Sequence, residues 1–205
     1  MAMKKILIIL AFIVAGLSVN AAPTAADVLQ KSASALLKSG GVTASYTYKS
    51  GAYTESGTLY TKEKKYSLIS SKRSIWYNGR SLWSLNPSEK EVTLSLPTSA
   101  EAAALNPYML VSSYKTEYTA KLVTSTIKGT YSISLTPKNK NSYIKSATIC
   151  IRSSNYMPVR LDITDRSGNK STIIISDVKT GQKLTDSTFT YNAKSHPGVT
   201  LIDLR

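Results

Sequence analysis

The stretch "SIWYNGRSLWSLNP" (residues 74–87) frames how the rest of the chain is read. Asn78-Gly79 stands between two runs of β-formers, the strongest short-range signal for a β-hairpin. A two-residue loop sets Trp76 opposite Ser81, Ser74 opposite Trp83 and Ile75 opposite Leu82. One face of the ribbon then carries Trp76, Trp83 and Leu85, and the other Ile75, Tyr77 and Leu82. Surface hairpins keep one side polar, and this one has bulk on both. What so much apolar and aromatic surface does on one sheet is the question the remaining residues must answer.

The N-terminus gives the compartment. Lys4-Lys5 precedes the apolar run "ILIILAFIVAGL" (6–17), which is short for a bilayer span, and Val19-Asn20-Ala21 supplies small residues for a signal peptidase. The expectation is a signal peptide over residues 1–21, cleaved after Ala21, because cleavage one residue later would leave Pro23 at the new terminus. No cysteine follows the apolar run, so the export signal does not make the protein itself a lipoprotein. No later stretch approaches the ~20 apolar residues of a transmembrane helix. Residues 22–205 are therefore expected to form one exported, soluble domain with a well-buried core.

Composition excludes more than it selects. Lys and Arg total 26 against 12 Asp and Glu, a formal charge of +14, dispersed apart from "KEKK" (62–65) and "KNK" (138–140). Such a surface is either simply solvated or steers the protein toward anionic partners, such as lipid headgroups or an acidic docking protein. No nucleic-acid-binding motif is present. His196, the single histidine, lies in the turn "KSHPGV", and Cys150, the single cysteine, on the strand "SATICIR". One of each makes neither a metal site nor an internal disulfide, and Cys150 reads as a buried spectator thiol. There is no G-x-S-x-G elbow, no phosphate-cradling glycine loop and no facing carboxylate pair. No catalytic residue, metal or cofactor is assigned, and the chain is not read as an enzyme.

Thr24 followed by Asp27 opens a helix from Ala25 to about Ser39, with Val28, Leu29 and Leu36 at helical spacing and Gly40-Gly41 as its stop. From Val42 the period becomes two. Val42, Ala44, Tyr46 and Tyr48 alternate with polar residues. So do Val92, Leu94 and Leu96; Tyr131, Ile133 and Leu135; and Val159, Leu161 and Ile163. Turn signals between these runs space about ten antiparallel strands. A second helical segment, "TSAEAAALNPYMLVSSY" (98–114), is broken near Asn106-Pro107. Two short helices cannot cover ten strands' worth of apolar face. Either the sheet curls over itself with the helices closing its open side, or two sheets pack as a sandwich. Only the curled sheet leaves an apolar hollow.

Several stretches, in order, resemble the periplasmic outer-membrane lipoprotein carrier family, LolA-like. "GTLYTKEKKY" (57–66) is similar to its G-x-L strand. "NGRSLWSLNPSEKEVT" (78–93) resembles its hairpin with Leu-Trp and an Asn-Pro turn. "LNPYMLV" (105–111) resembles its lid segment with Tyr108 in a phenylalanine place, and "YSISLTPK" (131–138) and "FTYNAKSHPGVTLID" (189–203) resemble later parts. The resemblance implies a mainly β fold, an incomplete, unclosed antiparallel β-barrel of about ten strands with a helical lid over an apolar cavity. It implies that the cavity takes up the acyl chains of lipoproteins.

The lining would come from Tyr46, Tyr48, Leu59, Leu68, Trp83, Leu85, Val92, Leu94 and Leu96 in the first half of the chain. The second half would add Tyr131, Ile133, Leu135, Ile149, Val159, Leu161 and Ile163. The lid would use Val28, Leu29, Leu36, Leu105, Tyr108, Met109 and Leu110. Which face of the 74–85 hairpin lines the cavity stays open. Implied partners are acylated lipoproteins, an inner-membrane lipoprotein-releasing ABC transporter complex and, where one exists, an outer-membrane acceptor, with the carrier itself a monomer. The family's lid arginine, just after the G-x-L strand, is replaced here by "KEKK", and lysine lacks the planar fork of donors. A lipid-sensing regulatory module of the envelope, or a carrier of another lipid such as a glycolipid, is the alternative.

Overall fold

The chain turns from helix to sheet where the period changes. The computed structural model describes residues 22–205, and the signal peptide expected over 1–21 lies outside the described residues. Helix α1 spans Ala25–Lys38. The Thr24 hydroxyl accepts from the Asp27 amide at 3.1 Å, and the Asp27 carboxylate accepts from the Thr24 amide at 2.9 Å, closing the expected capping box. Gly40 ends the helix at φ +67°, the left-handed region that glycine enters without strain.

Six strands follow: β1 (Gly41–Ser50), β2 (Tyr53–Lys62), β3 (Lys65–Ser70), β4 (Ser74–Tyr77), β5 (Leu82–Asn86) and β6 (Glu91–Ser95). Helices α2 (Ser99–Ala104) and α3 (Pro107–Glu117) interrupt them. The chain then continues as β7 (Tyr118–Val123), β8 (Thr130–Pro137), β9 (Ile144–Arg152), β10 (Pro158–Asp165), β11 (Lys170–Gln182) and a terminal β12 (Thr200–Asp203). Among the described residues the strands make one sheet of twelve, ordered β12-β6-β5-β4-β3-β2-β1-β11-β10-β9-β8-β7. Its ends, β12 and β7, are not paired with each other, so the barrel is unclosed. A single sheet also disposes of the sandwich. Register irregularities between Gly41 and Ser45, where β1 meets β11, add the local twist that curls it.

Gly57, the glycine of the G-x-L strand, marks a close approach. A Cβ there would collide with the Ile69 carbonyl oxygen of β3, so no other residue lets the two strands pair at this spacing.

The 74–87 hairpin departs from expectation in register. Trp76 pairs with Trp83, Ile75 with Ser84 and Tyr77 with Leu82. The loop runs over residues 78–81 rather than two residues, because the Asn78 side chain accepts from the amides of Arg80 (3.0 Å) and Ser81 (2.9 Å) and closes a wider turn. The shift is by two positions, so every side chain keeps its face.

The helical break falls where expected. Asn106 caps α3, accepting from the Tyr108 amide at 3.0 Å, and Pro107 occupies the first helical position, where its missing N–H costs nothing. Helix α3 runs to Glu117, beyond the expected end at Tyr114.

Candidate functional site

The concave face of the sheet and the undersides of the helices form one apolar core. From the sheet come Val42, Ala44, Tyr46, Leu59, Leu68, Ile133, Leu135, Ile149, Leu161 and Ile163, with Tyr48 and Tyr131 partly buried against them. From the helices come Val28, Leu29, Tyr108, Met109 and Leu110, with Leu36 and Leu105 at the margin. The structure therefore brings together all seven residues expected in the lid and most of those expected in the lining.

Five lining residues belong elsewhere. Trp83, Leu85 and Val92 pack with Trp76 in a separate cluster on the opposite, convex face of the hairpin. Leu94 is buried and pairs with Trp83, which puts it on the same side. Leu96 lies beyond the end of β6 and is 50% exposed. What decides the face is the end of the chain. Tyr191 and Val199 pack onto this cluster, and β12 runs parallel to β6. Tyr191 meets Trp76 edge-on at 5.5 Å, and the His196 ring stacks on Tyr191 at 5.1 Å. Bulk on both faces of the ribbon is thus accounted for, since the lid side covers Ile75, Tyr77 and Leu82 and the C-terminal segment covers the tryptophans.

Val159 is also displaced. The β10–β9 register slips between Pro158 and Arg160, the extra residue of the bulge leaves the alternation, and Val159 is half-buried beside Arg160 and Ile174 outside the core.

A void of about 10 Å³ remains among Tyr46, Tyr48, Leu68 and Leu105, room for at most one water. A cleft of about 560 Å³ opens between α1, α3 and the β2–β3 turn, with Leu36, Leu37, Val42, Thr61 and Tyr108 among its walls and Lys62–Lys65 along its edge. Leu37, 75% exposed, stands at its edge on α1. One inward row of paired residues crosses the sheet here: Val42, Thr61, Tyr66, Tyr77 and Leu82 on β1 to β5.

A side-chain bond joins lid to sheet at this row. Asn106 Nδ2 donates to Thr61 Oγ1 at 3.2 Å, both residues being buried, while the Thr61 hydroxyl donates to the Lys65 carbonyl at 3.0 Å. Lys62 bonds instead to the Leu184 carbonyl at 3.4 Å, on the C-terminal segment. Where the resemblance implies an arginine, the α2–α3 segment is joined to the sheet by an asparagine that also caps α3.

Sequence reasoning missed a second polar feature. The Glu55 side chain, 1% exposed, accepts from Arg73 at 3.0 Å, Tyr46 at 3.3 Å and Tyr53 at 2.7 Å. Burial, then the Glu55 charge, pushes the Tyr46 phenol up to about 12. The network sits beside the small void, at the end of the trough opposite the Thr61 row, and its pairing compensates an otherwise costly buried carboxylate. Among the described residues no group of three or more His, Cys, Asp or Glu side chains could hold a metal ion.

A curled, unclosed sheet whose concave face is roofed by capped helices defines a binding or carrier type of protein. The chain belongs to the outer membrane lipoprotein carrier protein LolA family, whose sequence pattern matches residues 17–169. No curated protein matches it in sequence. In three dimensions it is similar to an uncharacterized conserved protein from Thermus thermophilus, with TM-score 0.56, 9% identity, and 87% of this chain and 98% of that chain covered. It also aligns with a LolA superfamily protein from Nitrosomonas europaea (TM-score 0.47, 16% identity, 83% and 99% covered). A putative outer membrane lipoprotein-sorting protein domain from Vibrio parahaemolyticus aligns at TM-score 0.49 and 13% identity, with 80% and 94% covered. At these identities the likeness is one of fold. No helix among the described residues is long and apolar enough to cross a membrane.

Proposed function

We propose that this protein is a periplasmic carrier that takes up the acyl chains of lipoproteins between the sheet and its lid and ferries them from inner to outer membrane. The observation that carries the reading is the shared core. Leu29, Tyr108, Met109 and Leu110 rest directly on the concave face, so lifting the helices converts a core into an apolar trough. Each methylene then buried contributes ~0.8 kcal/mol, and an acyl chain has enough of them to offset the lid contacts it displaces.

Donor and acceptor follow from this role: an inner-membrane lipoprotein-releasing transporter would load the open trough, and an outer-membrane acceptor would empty it. The test is native mass spectrometry of protein recovered from its own envelope. A complex heavier by the mass of one acylated lipoprotein is the expected result. Recovery with a free glycolipid alone would reassign the cargo, and a protein that never carries any lipid would end the carrier reading.

A further inference from the structure

Among the described residues four buried hydroxyls have no protein partner: Ser32 on α1, Tyr66 on β3, Tyr108 on α3 and Tyr118 on β7. All four residues are at least nine-tenths buried. An unpaired buried hydroxyl costs about 1–3 kcal/mol, and native interiors hold few. Phenylalanine would fill the same volume at the three tyrosine positions without that cost. Two of the four belong to residues beside the Asn106–Thr61 bond. Tyr66 pairs across the sheet with Thr61, and Tyr108 lines the cleft together with Thr61 and Val42. Tyr66 and Tyr108 therefore flank the Asn106–Thr61 bond, the place cargo must pass when the lid lifts. Burial pushes both phenols well above their ordinary range, so they remain hydrogen-bond donors at any physiological pH.

We infer that Tyr66 and Tyr108 donate hydrogen bonds to the ester carbonyls of the cargo's diacylglycerol unit, which sits at the mouth while its hydrocarbon chains run into the trough. The inference rests on the acyl-binding reading above and adds to it a polar recognition step. Apolar residues alone measure chain length and cannot tell an ester from an ether. A pair of phenol donors, silent in the empty state, does so by being satisfied only when carbonyl oxygens arrive. The ester-linked glyceride is common to bacterial lipoproteins and glycerophospholipids, so the recognised chemistry is shared between two sources.

The test compares ester-linked and ether-linked ligands of equal chain length, displacing an environment-sensitive acyl probe. One series is a phosphatidylglycerol, the other a diacylated lipopeptide. Ester forms are expected to bind about tenfold more tightly than ether forms, the worth of one to two net hydrogen bonds. The series that shows the preference identifies the source. In the double variant Tyr66→Phe, Tyr108→Phe the ratio of ester to ether affinity should fall to near one. Because both changes delete an unpartnered buried group, the empty variant should melt at the same temperature as the parent or higher, which keeps the comparison between folded proteins. Equal affinities in both series, or a preference that survives the double change, would overturn the inference and leave acyl binding standing. Failure of every ligand to displace the probe would instead remove acyl binding itself, and the inference with it.

Discussion

Asn106 on the lid donates a hydrogen bond to Thr61 on the sheet across 3.2 Å, in a spot that solvent does not reach. The same asparagine caps α3, so one residue both starts that helix and ties it to the sheet. Thr61 is fixed in turn by its bond to the Lys65 carbonyl at the β2–β3 turn. The arrangement places the bond at the edge of the cleft that Thr61 and Tyr108 line.

Thr61→Val keeps the shape of the side chain and removes the acceptor. The cost should be about 1–2 kcal/mol of stability, since a buried amide is left without its partner. If the bond holds the lid, part of that energy is lost only from the closed state, and acyl-probe uptake should accelerate, by up to about tenfold. Stopped-flow fluorescence measures it. An uptake rate equal to that of the parent, at the same loss of stability, would show that the bond is packing and not a fastening.

The two tryptophans, Trp76 and Trp83, lie on the convex face beneath the C-terminal segment. Acyl ligand in the trough should leave their emission nearly unchanged. Deleting residues 186–205 should instead shift the emission to the red and lower stability by at least about 3 kcal/mol, given the aromatic area uncovered. Strong quenching of the tryptophans by bound acyl ligand in the full chain would place the cargo on the wrong side of the sheet.

Base should unfold the protein through its phenols. Burial is the largest cause of the raised values at Tyr46, Tyr66, Tyr108 and Tyr118, with Tyr46 and Tyr118 reaching about 12. A group whose folded value is raised keeps a proton that the unfolded chain releases near pH 10. Its contribution is complete below that pH and is lost as the pH climbs through the folded value. Phenolate absorbance of the thirteen tyrosines should therefore rise in two steps. The second, in which the buried phenols ionise, coincides with loss of the β-sheet circular dichroism signal. A single step near pH 10 with the sheet intact would mean the buried phenols are open to water.

Much of this molecule is legible in its sequence, for identifiable reasons. The Thr24 cap, the period change at Val42 and the break at Asn106-Pro107 are local, and local chemistry fixed each of them. The G-x-L glycine reads as a motif, and the structure gives its cause in the Ile69 carbonyl. The faces of the 74–85 ribbon survived a wrong register because the slip was even-numbered. Which face turns inward was not legible, since Tyr191 and Val199, about a hundred residues away, decide it. Val159 obeys the alternation in sequence and leaves it in space because of one bulge. Thr61 and Asn106 stand 45 residues apart with nothing in either local pattern to pair them. Twelve strands replaced the expected ten, the terminal β12 among them adding itself in parallel to the edge of β6.

The most direct measurement is a reversible tether across the mouth. Thr61→Cys and Asn106→Cys replace two side chains already in contact, in a chain whose own Cys150 is changed to Ser or Ala, and a disulfide there requires Cα atoms about 5–6 Å apart. Oxidised, this protein should fold as the parent does but take up neither acyl probe nor lipoprotein, and reduction should restore both. Normal lipoprotein transfer by the fully oxidised protein would show that residues 98–117 form a fixed plug rather than a lid, and would contradict carriage through this mouth.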